Sequence, residues 1–302
     1  MDGTDHPARF GSLLTAMVTP FDEGGALDLD VAGALAKWLV DHGSQGLVVA
    51  GTTGEGPVLN DDEKRSLWRA VTEAVTVPVI AGTGTNDTAH SIEMTRAATE
   101  VGVHGVLVVT PYYSRPSQDG IRRHIEAVAG ATDLPVMIYD IPVRTGRRIA
   151  LPTMVALARE VRNVVAVKDS TGDVGGAARL LTRTPSGFEV YCGDDELALA
   201  MLSVGAVGAV SVASHWVGRE MAELFAAYWK GDVTGARELN ARLIESFDFE
   251  STDSFPNPLP AKAACRALGL PVGQCRDPLG PAPSELDDQA RRVLEGLGAT
   301  VG

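Results

Sequence analysis

The chain has 302 residues, of which 45% are hydrophobic, 22% charged and 5% aromatic, and its formal net charge is −13. This length and composition suit one large α/β domain, or two smaller ones, with a substantial core. So acidic a balance argues against nucleic acid and anionic membranes as partners, and it favours a cytoplasmic protein.

The chain begins with a polar stretch, residues 1–7, that is followed by no apolar run, so no signal peptide is expected. No window approaches the ~18 consecutive apolar residues of a membrane span. Beyond that start, a short apolar run, a glycine or polar turn and a segment of helical periodicity repeat along the chain. The apolar runs start roughly 20 to 35 residues apart, which is the length of one βα unit. Eight runs are predicted as strands: residues 13–18, 46–50, 77–81, 105–109, 134–139, 164–167, 188–191 and 206–212.

The segments between the runs carry apolar residues at helical spacing, and Asn60 with Glu63 has the sequence of a capping box. Predicted helices are residues 27–42, a helix after Asn60, 87–101, 118–131, 152–161, 195–204, 218–229, 233–247, 259–268 and 284–297. Eight βα units in series predict a (β/α)8 TIM barrel over residues 11–230, with a helical appendix over residues 231–302 packed on it. A doubly wound sheet is the alternative.

In a barrel of this kind, catalytic side chains collect at the carboxyl ends of the strands. The sixth apolar run passes directly into Lys168. A lysine that is desolvated there can attack a carbonyl and form a Schiff base, although a lysine after a strand is more often simply solvated. Tyr139 ends the fifth run, and its phenol could relay protons near such an amine. Lys168 and Tyr139 are therefore the first candidates for a catalytic pair.

Two further strand ends offer groups for a carboxylate. Thr52 and Thr53 stand between glycines, where their hydroxyls could orient a phenol and bind an anion, although Gly-Thr-Thr-Gly could also be only a tight turn. Arg144 lies in a loop bounded by proline and glycine in an otherwise acidic protein, and its guanidinium would suit a substrate carboxylate.

The glycine, histidine, cysteine and aspartate patterns of the chain do not indicate a cofactor site. Gly82 and Gly84 lack the third glycine of a dinucleotide fingerprint. The six histidines form no metal-binding pattern, and the three cysteines form no C-x-x-C pair, so neither a metal site nor a disulfide framework is expected. Asp194 and Asp195 could bind a divalent cation, but a role as the amino-terminal cap of the following helix explains them sufficiently.

Four segments stand out together: GTTGE at 51–55, YYSRP at 112–116, YDIPVRTG at 139–146 and VKDSTG at 167–172. In this order and spacing they resemble the dihydrodipicolinate synthase family, which belongs to the N-acetylneuraminate lyase superfamily of class I aldolases. The resemblance runs from about residue 13 to residue 271. It implies a (β/α)8 barrel, a homotetramer built as a dimer of dimers, and a covalent Schiff base with pyruvate in place of any cofactor.

The resemblance also assigns roles. Lys168 would form the Schiff base, and Tyr139 would relay protons in a triad with Thr52 and with Tyr113, which in relatives reaches across the dimer interface. The substrate-binding positions would be Thr53 for the pyruvate carboxylate, Arg144 for L-aspartate 4-semialdehyde, and Gly193 and Val210, whose main-chain carbonyls lie near the lysine in relatives. No metal site is implied.

The implied activity is condensation of pyruvate with L-aspartate 4-semialdehyde in diaminopimelate and lysine biosynthesis. An aldolase or dehydratase of the same superfamily that acts on a 2-keto sugar acid is the alternative, and a non-catalytic barrel is a third. Asp61, Lys64 and His90 stand where lysine-sensitive relatives typically carry two histidines and a glutamate. We therefore expect feedback inhibition by lysine to be weak or absent.

Overall fold

The computed structural model describes residues 8–298, in which eight parallel strands close into a barrel. Strand order follows chain order, and β1 pairs with both β2 and β8. The strands are β1 (Leu13–Ala16), β2 (Gly46–Val49), β3 (Val79–Gly82), β4 (Gly105–Val109), β5 (Val136–Asp140), β6 (Val164–Asp169), β7 (Glu189–Cys192) and β8 (Gly208–Ser211). The predicted (β/α)8 barrel is confirmed, and the doubly wound alternative is wrong.

The strands are mostly apolar because both faces of the sheet are covered, and charged residues such as Lys168 and Asp140 stand at the carboxyl ends of β6 and β5. One set of alternate residues fills the barrel interior, and it includes Leu14, Val48, Ile80, Met137 and Val210. The other set packs outward against the helices in a second and larger cluster.

Twelve helices accompany the strands in the described residues. They are α1 (Leu29–Asp41), α2 (Asp61–Ala74), α3 (Thr88–Val101), α4 (Gln118–Ala129), α5 (Pro142–Thr145), α6 (Leu151–Glu160), α7 (Val174–Leu181), α8 (Ala198–Ser203), α9 (Ser214–Trp229), α10 (Val233–Phe249), α11 (Leu259–Ala267) and α12 (Ser284–Gly296). The predicted capping box is present, since the Asn60 side chain accepts from the Glu63 backbone and the Glu63 carboxylate accepts from the Asn60 backbone.

Three helical segments differ from prediction. The short α5 and α7 were not predicted, and α7 escapes notice because Gly175 and Gly176 in its first turn lower helix propensity. Its start is fixed instead by the Asp173 side chain, which accepts from the Gly176 backbone. The predicted helix 218–229 starts too late, because α9 continues across a break at Val217, whose φ is −126°.

Beyond the barrel, α10 packs along α9, while α11 packs against α12. The segment between α10 and α11, residues 250–258, brings Asn257 into hydrogen-bond contact with Thr53 of the loop after β2. The carboxyl-terminal helices therefore contribute to the same end of the barrel where the candidate site lies. No helix within residues 8–298 is long and apolar enough to cross a membrane.

Candidate active site

Lys168 and Tyr139 lie side by side at the carboxyl end of the barrel. β5 and β6 pair so that Tyr139 is opposite Lys168, and the Lys168 Nζ is 4.4 Å from the centroid of the Tyr139 ring. The two side chains are only 5% and 4% exposed. Among the described residues, Lys168 makes no ion pair and no hydrogen bond. The interpretation of Lys168 as a solvated strand end is thus wrong, and its amine is in a dry position suited to attack on a carbonyl.

A cavity of about 360 Å³ adjoins this pair, a size typical of small-molecule sites. Its wall comes from the loops after β2, β3, β4 and β5 and from α2. The polar and aromatic residues that line it are Thr52, Lys64, Thr85, Tyr112, Tyr113, Tyr139, Arg144 and Thr145. Lys168 and Thr53 do not line the cavity themselves. Lys168 adjoins it through its neighbour Tyr139, and Thr53 adjoins it through Thr52.

The loop after β2 is a tightly closed turn. The Glu55 backbone N–H donates to the Thr52 carbonyl at 3.0 Å, and the Gly56 backbone donates to Gly51 at the same distance. Ala50 and Glu55 have positive φ of 58° and 55°, which is strained for residues with a side chain. A β-carbon at Gly56 would overlap the Ala50 carbonyl. The Gly-Thr-Thr-Gly motif is therefore a tight turn, and the same turn carries both candidate threonines. Its interpretation as a turn and its interpretation as a binding loop are compatible.

Asn257 joins the two loops that were predicted to bind carboxylates. Its side-chain amide donates to the Thr53 hydroxyl at 2.9 Å, and its main-chain carbonyl accepts from the Arg144 guanidinium at 3.3 Å. The Thr53 side chain is buried. The structure thus brings Thr53 and Arg144 to opposite sides of one residue of the carboxyl-terminal segment.

The predicted hydroxyl triad is only partly assembled within one chain. Thr52, Tyr139 and Tyr113 all line the cavity, but Tyr113 is 88% exposed and has a positive φ of 67°. The described residues include no hydrogen bond between these three hydroxyls. The neighbouring Tyr112 faces the cavity. Burial raises the pKa of its phenol, and a hydrogen bond with the Asn86 backbone partly lowers it again.

The Thr52–Glu55 turn is anchored by buried charges. Lys262 of α11 lies 2.7 Å from the Glu55 carboxylate and donates to the Gln274 carbonyl. The Arg276 backbone donates to the other Glu55 oxygen, and its guanidinium pairs with Glu63 at 2.6 Å. Burial lowers the pKa of Lys262, and the charge of Glu55 opposes that shift.

Of the two remaining predicted positions, Gly193 lies beside the lysine and Val210 lies in the barrel interior. A β-carbon at Gly193 would overlap the Ser170 hydroxyl and lie 3.0 Å from the Lys168 Cε, so a larger residue there would displace side chains next to the lysine. Val210 lies in the barrel interior on β8. All eight predicted site residues are thus at the carboxyl end of the barrel or in its interior.

The predicted capping role of Asp194 and Asp195 is wrong. Neither side chain caps the turn that follows β7. Asp195 instead accepts hydrogen bonds from the turn after β8, at Ser211, Val212 and Ala213. Burial raises the pKa of Asp194 to about 6, and the positive charge of Lys168 opposes this shift.

Asp140 and Asp169 directly follow Tyr139 and Lys168 and also pair across the strands. Their side chains point outward, since residues alternate across a strand, and they line a second cavity of about 270 Å³ beneath α6 and α7. The Asp140 carboxylate accepts from the Ile149 backbone at 3.2 Å. Burial raises the pKa of Asp140 to about 7.

The three residues considered for lysine feedback do not share one pocket. His90 pairs with Asp61 at 2.9 Å in an outer groove between α2 and α3. Lys64 instead points to the main cavity and is largely buried, which lowers its pKa despite the nearby charge of Asp61. Within residues 8–298 no group of His, Cys, Asp and Glu could hold a metal ion.

Motif inspection gave Asn257 no role, and it did not predict that Asp194 lies close enough to Lys168 for their charges to interact. Their contacts depend on long-range packing, and no local pattern could have revealed them.

Residues 9–297 match the sequence profile of the dihydrodipicolinate synthetase family. The 4-hydroxy-tetrahydrodipicolinate synthase of Acidothermus cellulolyticus is 50% identical over 296 residues, which cover 97% of this chain and 93% of that protein. Among solved structures, a dihydrodipicolinate synthase of Bacillus anthracis is 44% identical, with a TM-score of 0.91 over 95% of this chain and 98% of that one. The Cyanidioschyzon merolae enzyme, solved with lysine bound, is 39% identical with a TM-score of 0.92, over 96% and 99% of the two chains.

Proposed function

The chain belongs to the dihydrodipicolinate synthetase family, and from that premise we propose that it acts as a 4-hydroxy-tetrahydrodipicolinate synthase through a Schiff base on Lys168. The substrates are pyruvate and L-aspartate 4-semialdehyde, and the product serves diaminopimelate and lysine biosynthesis. The observation that carries the proposal is the buried Lys168 amine, which has no ion-pair partner within residues 8–298 and lies 4.4 Å from the centroid of the Tyr139 ring.

The first half of the reaction takes place on pyruvate. The neutral Lys168 amine attacks the keto carbon, and the carbinolamine that forms loses water to give an iminium ion. Each step moves a proton, and Tyr139 is the titratable side chain beside the amine that can carry it. Thr52 orients the phenol, and Thr53 binds the pyruvate carboxylate. Loss of a proton from the methyl carbon converts the iminium ion into an enamine, and the positive nitrogen takes up the electron pair.

The second half joins the substrates. The enamine carbon attacks the aldehyde carbon of the semialdehyde, a carbon–carbon bond forms, and the aldehyde oxygen takes up a proton. The semialdehyde amino group then displaces Lys168 from the imine carbon and closes the ring. Arg144 lines the cavity and is held by the Asn257 carbonyl, and it binds the carboxylate of the semialdehyde. The cavity of about 360 Å³ admits both small substrates.

We further propose that the working form is a cytoplasmic homotetramer, with residues 231–302 as an appendix on a barrel formed by residues 11–230. Tyr113 supports the oligomer: 88% of its surface is exposed although it lines the candidate site. A second copy of the chain would cover this phenol and bring it to the Thr52 and Tyr139 hydroxyls.

Borohydride reduction in the presence of pyruvate tests the proposal. Peptide mass spectrometry is expected to find the reduced pyruvate adduct on Lys168 and on neither Lys64 nor Lys262, which are the matched buried lysines. An adduct on either control lysine, or none at all, would refute the proposed mechanism. A coupled assay that compares the semialdehyde with N-acetylneuraminate and ketodeoxygluconate then separates the synthase from a sugar-acid aldolase of the same superfamily.

A further inference from the structure

Asn257 lies between the two residues that were predicted to bind substrate carboxylates, and hydrogen bonds hold it on three sides. Its side-chain amide donates to the Thr53 hydroxyl at 2.9 Å, and its main-chain carbonyl accepts from the Arg144 guanidinium at 3.3 Å. Its backbone N–H donates to the Ser251 hydroxyl at 3.3 Å. Asn257 is a buried residue, and the proposed reaction assigns no role to it.

The start of α11 fixes Asn257 relative to the loop after β2. The Lys262 backbone N–H donates to the Pro258 carbonyl at 3.0 Å, and the Lys262 ammonium lies 2.7 Å from the Glu55 carboxylate. Asn257 contacts Thr53 and Lys262 contacts Glu55, so one short segment holds the Thr52–Glu55 turn at two points. The Asn257 amide therefore reaches the Thr53 hydroxyl from a firmly anchored position.

The direction of this hydrogen bond leaves the proton of the Thr53 hydroxyl free. A threonine hydroxyl has one proton to donate and two lone pairs that accept. The Asn257 amide occupies one lone pair, and among the described residues no acceptor takes the proton. Thr53 is only 2% exposed, so bulk water has little access to it. A buried donor without an acceptor is unfavourable, and a ligand that brings an acceptor satisfies it.

We infer that Asn257 is a positioning residue for pyruvate, whose amide keeps the Thr53 hydroxyl as an acceptor so that the hydroxyl proton is donated to the pyruvate carboxylate. The inference rests on the proposed function, which places that carboxylate on Thr53. A carboxylate only accepts hydrogen bonds, so a hydroxyl that had donated its proton to residue 257 would offer only lone pairs to it. The amide also polarises the hydroxyl, because hydrogen bonds in a chain strengthen one another.

Asn257 acts on Arg144 through a different atom. That contact is made by the main-chain carbonyl, which any amino acid at position 257 supplies. Removal of the side chain should therefore separate the two substrates: pyruvate binding weakens, while binding of the semialdehyde does not change. A residue that merely stabilised the two loops would affect both substrates alike.

The experiment measures the pyruvate concentration that gives half-maximal borohydride trapping on Lys168, and KM for the semialdehyde at saturating pyruvate. Asn257→Ala removes the amide, and the half-maximal pyruvate concentration should rise about five- to tenfold while KM for the semialdehyde stays within about twofold. Asn257→Asp has the same shape but an acceptor in place of the donor. It takes up the Thr53 proton and adds a negative charge, so the half-maximal pyruvate concentration should rise about 100-fold.

A double-variant cycle shows whether the effect passes through the hydroxyl. Thr53→Val has no hydroxyl to orient, so adding Asn257→Ala to it should change the half-maximal pyruvate concentration by less than about twofold. Ser251→Ala is the matched control, because it removes the hydrogen bond to the Asn257 backbone and leaves the side-chain amide in place. It should stay within about twofold of the unmodified protein in both measurements.

Three results would overturn the inference: an unchanged pyruvate dependence in Asn257→Ala, an equal rise for both substrates, or a full effect of Asn257→Ala in the Thr53→Val background. If Asn257→Ala does not fold, the isosteric Asn257→Asp decides the question, and a normal pyruvate dependence there would also overturn the inference. An unmodified protein that forms no Lys168 adduct would refute the proposed function, and the inference with it. A Lys168 adduct that forms independently of Asn257 would overturn the inference alone.

Discussion

Glu55 and Lys262 form an ion pair 2.7 Å long in which each side chain is only 1% exposed. Glu55 closes the Thr52–Glu55 turn, and Lys262 belongs to α11. The Phe21 ring lies beneath the pair, with the Lys262 Nζ 4.2 Å from its centroid. The turn that carries the two candidate threonines is therefore held by a charge from the carboxyl-terminal helices.

Removing only one charge of this pair should be severely destabilising. Lys262→Met leaves the Glu55 carboxylate buried without its partner, and the free energy of unfolding should fall by about 3–5 kcal/mol. The double variant with Glu55→Gln has no unpaired charge and should recover most of that loss. Urea denaturation of the two variants and the unmodified protein measures the difference.

A matched control is Arg291→Ala, which breaks an exposed pair with Asp288 and should change the free energy of unfolding by at most about 0.5 kcal/mol. A double variant no more stable than Lys262→Met would contradict the explanation.

Asp140 should make stability fall with rising pH. The folded chain keeps its proton up to about pH 7, whereas the unfolded chain releases it near 3.8. Unfolding therefore releases a proton within that window, and the stability of the unmodified protein declines as pH rises through it. Asp140→Asn keeps an acceptor for Ile149 but has no proton to lose. Its stability relative to the unmodified protein should grow between about pH 4 and 7, by up to about 4 kcal/mol, and then level off.

Denaturant unfolding at a series of pH values measures this difference. Asp133→Asn is the control, because Asp133 is almost fully exposed, and it should show no such growth. A difference between Asp140→Asn and the unmodified protein that is constant across the window would show that Asp140 is ionised throughout it.

Arg144 should matter for the second substrate and not for the first. Arg144→Ala removes a charge-assisted contact, so KM for the semialdehyde should rise about 10- to 100-fold while the rate of pyruvate adduct formation stays within about twofold. Arg144→Lys keeps the charge without the planar fork and should be intermediate. Steady-state kinetics and borohydride trapping supply the two readouts. An equal loss in both would contradict a role of Arg144 in binding the semialdehyde.

Lysine should inhibit the enzyme weakly or not at all. The outer groove offers Asp61, but this carboxylate is already paired with His90 at 2.9 Å, and Lys64 adds a like charge nearby. Assays with and without low-millimolar L-lysine should therefore give the same rate. A triple variant, Asp61→His with Lys64→His and His90→Glu, restores the residue types of sensitive relatives and should increase inhibition. Clear inhibition of the unmodified enzyme would contradict the prediction.

The sequence predicted the barrel well because its strands are short, mostly apolar runs that recur at the spacing of βα units, as in β2 (Gly46–Val49). It also located Lys168 and Tyr139 on neighbouring strands, since consecutive parallel strands are adjacent in a barrel. Predicted and observed strand bounds differ by one or two residues at most ends. The observed β8 is two residues shorter at its start and one at its end, because apolar residues continue into turns where hydrogen bonding has stopped, whereas β6 continues two residues further than predicted, through Lys168 and Asp169.

What the sequence did not reveal depends on contacts between distant residues. Asp195 looks like a helix cap by local rules, but one of its carboxylate oxygens instead accepts from the end of β8 and the turn that follows it. Glu250 reads as one more charge near a helix end, and only the folded structure shows that one of its carboxyl oxygens is buried without a donor among the described residues. Lys64 has the spacing of a surface residue, and only the loops above α2 enclose it in the main cavity.

The segment of residues 250–258 has a consequence for how this chain can be shortened or recombined. Its Asn257 contacts Thr53 and Arg144 at the candidate site. A fragment ending at residue 230 would retain all eight strands and Lys168 itself, yet this support of the candidate site would be missing. Grafting this barrel onto another carboxyl terminus therefore requires transplanting residues 250–262 along with it.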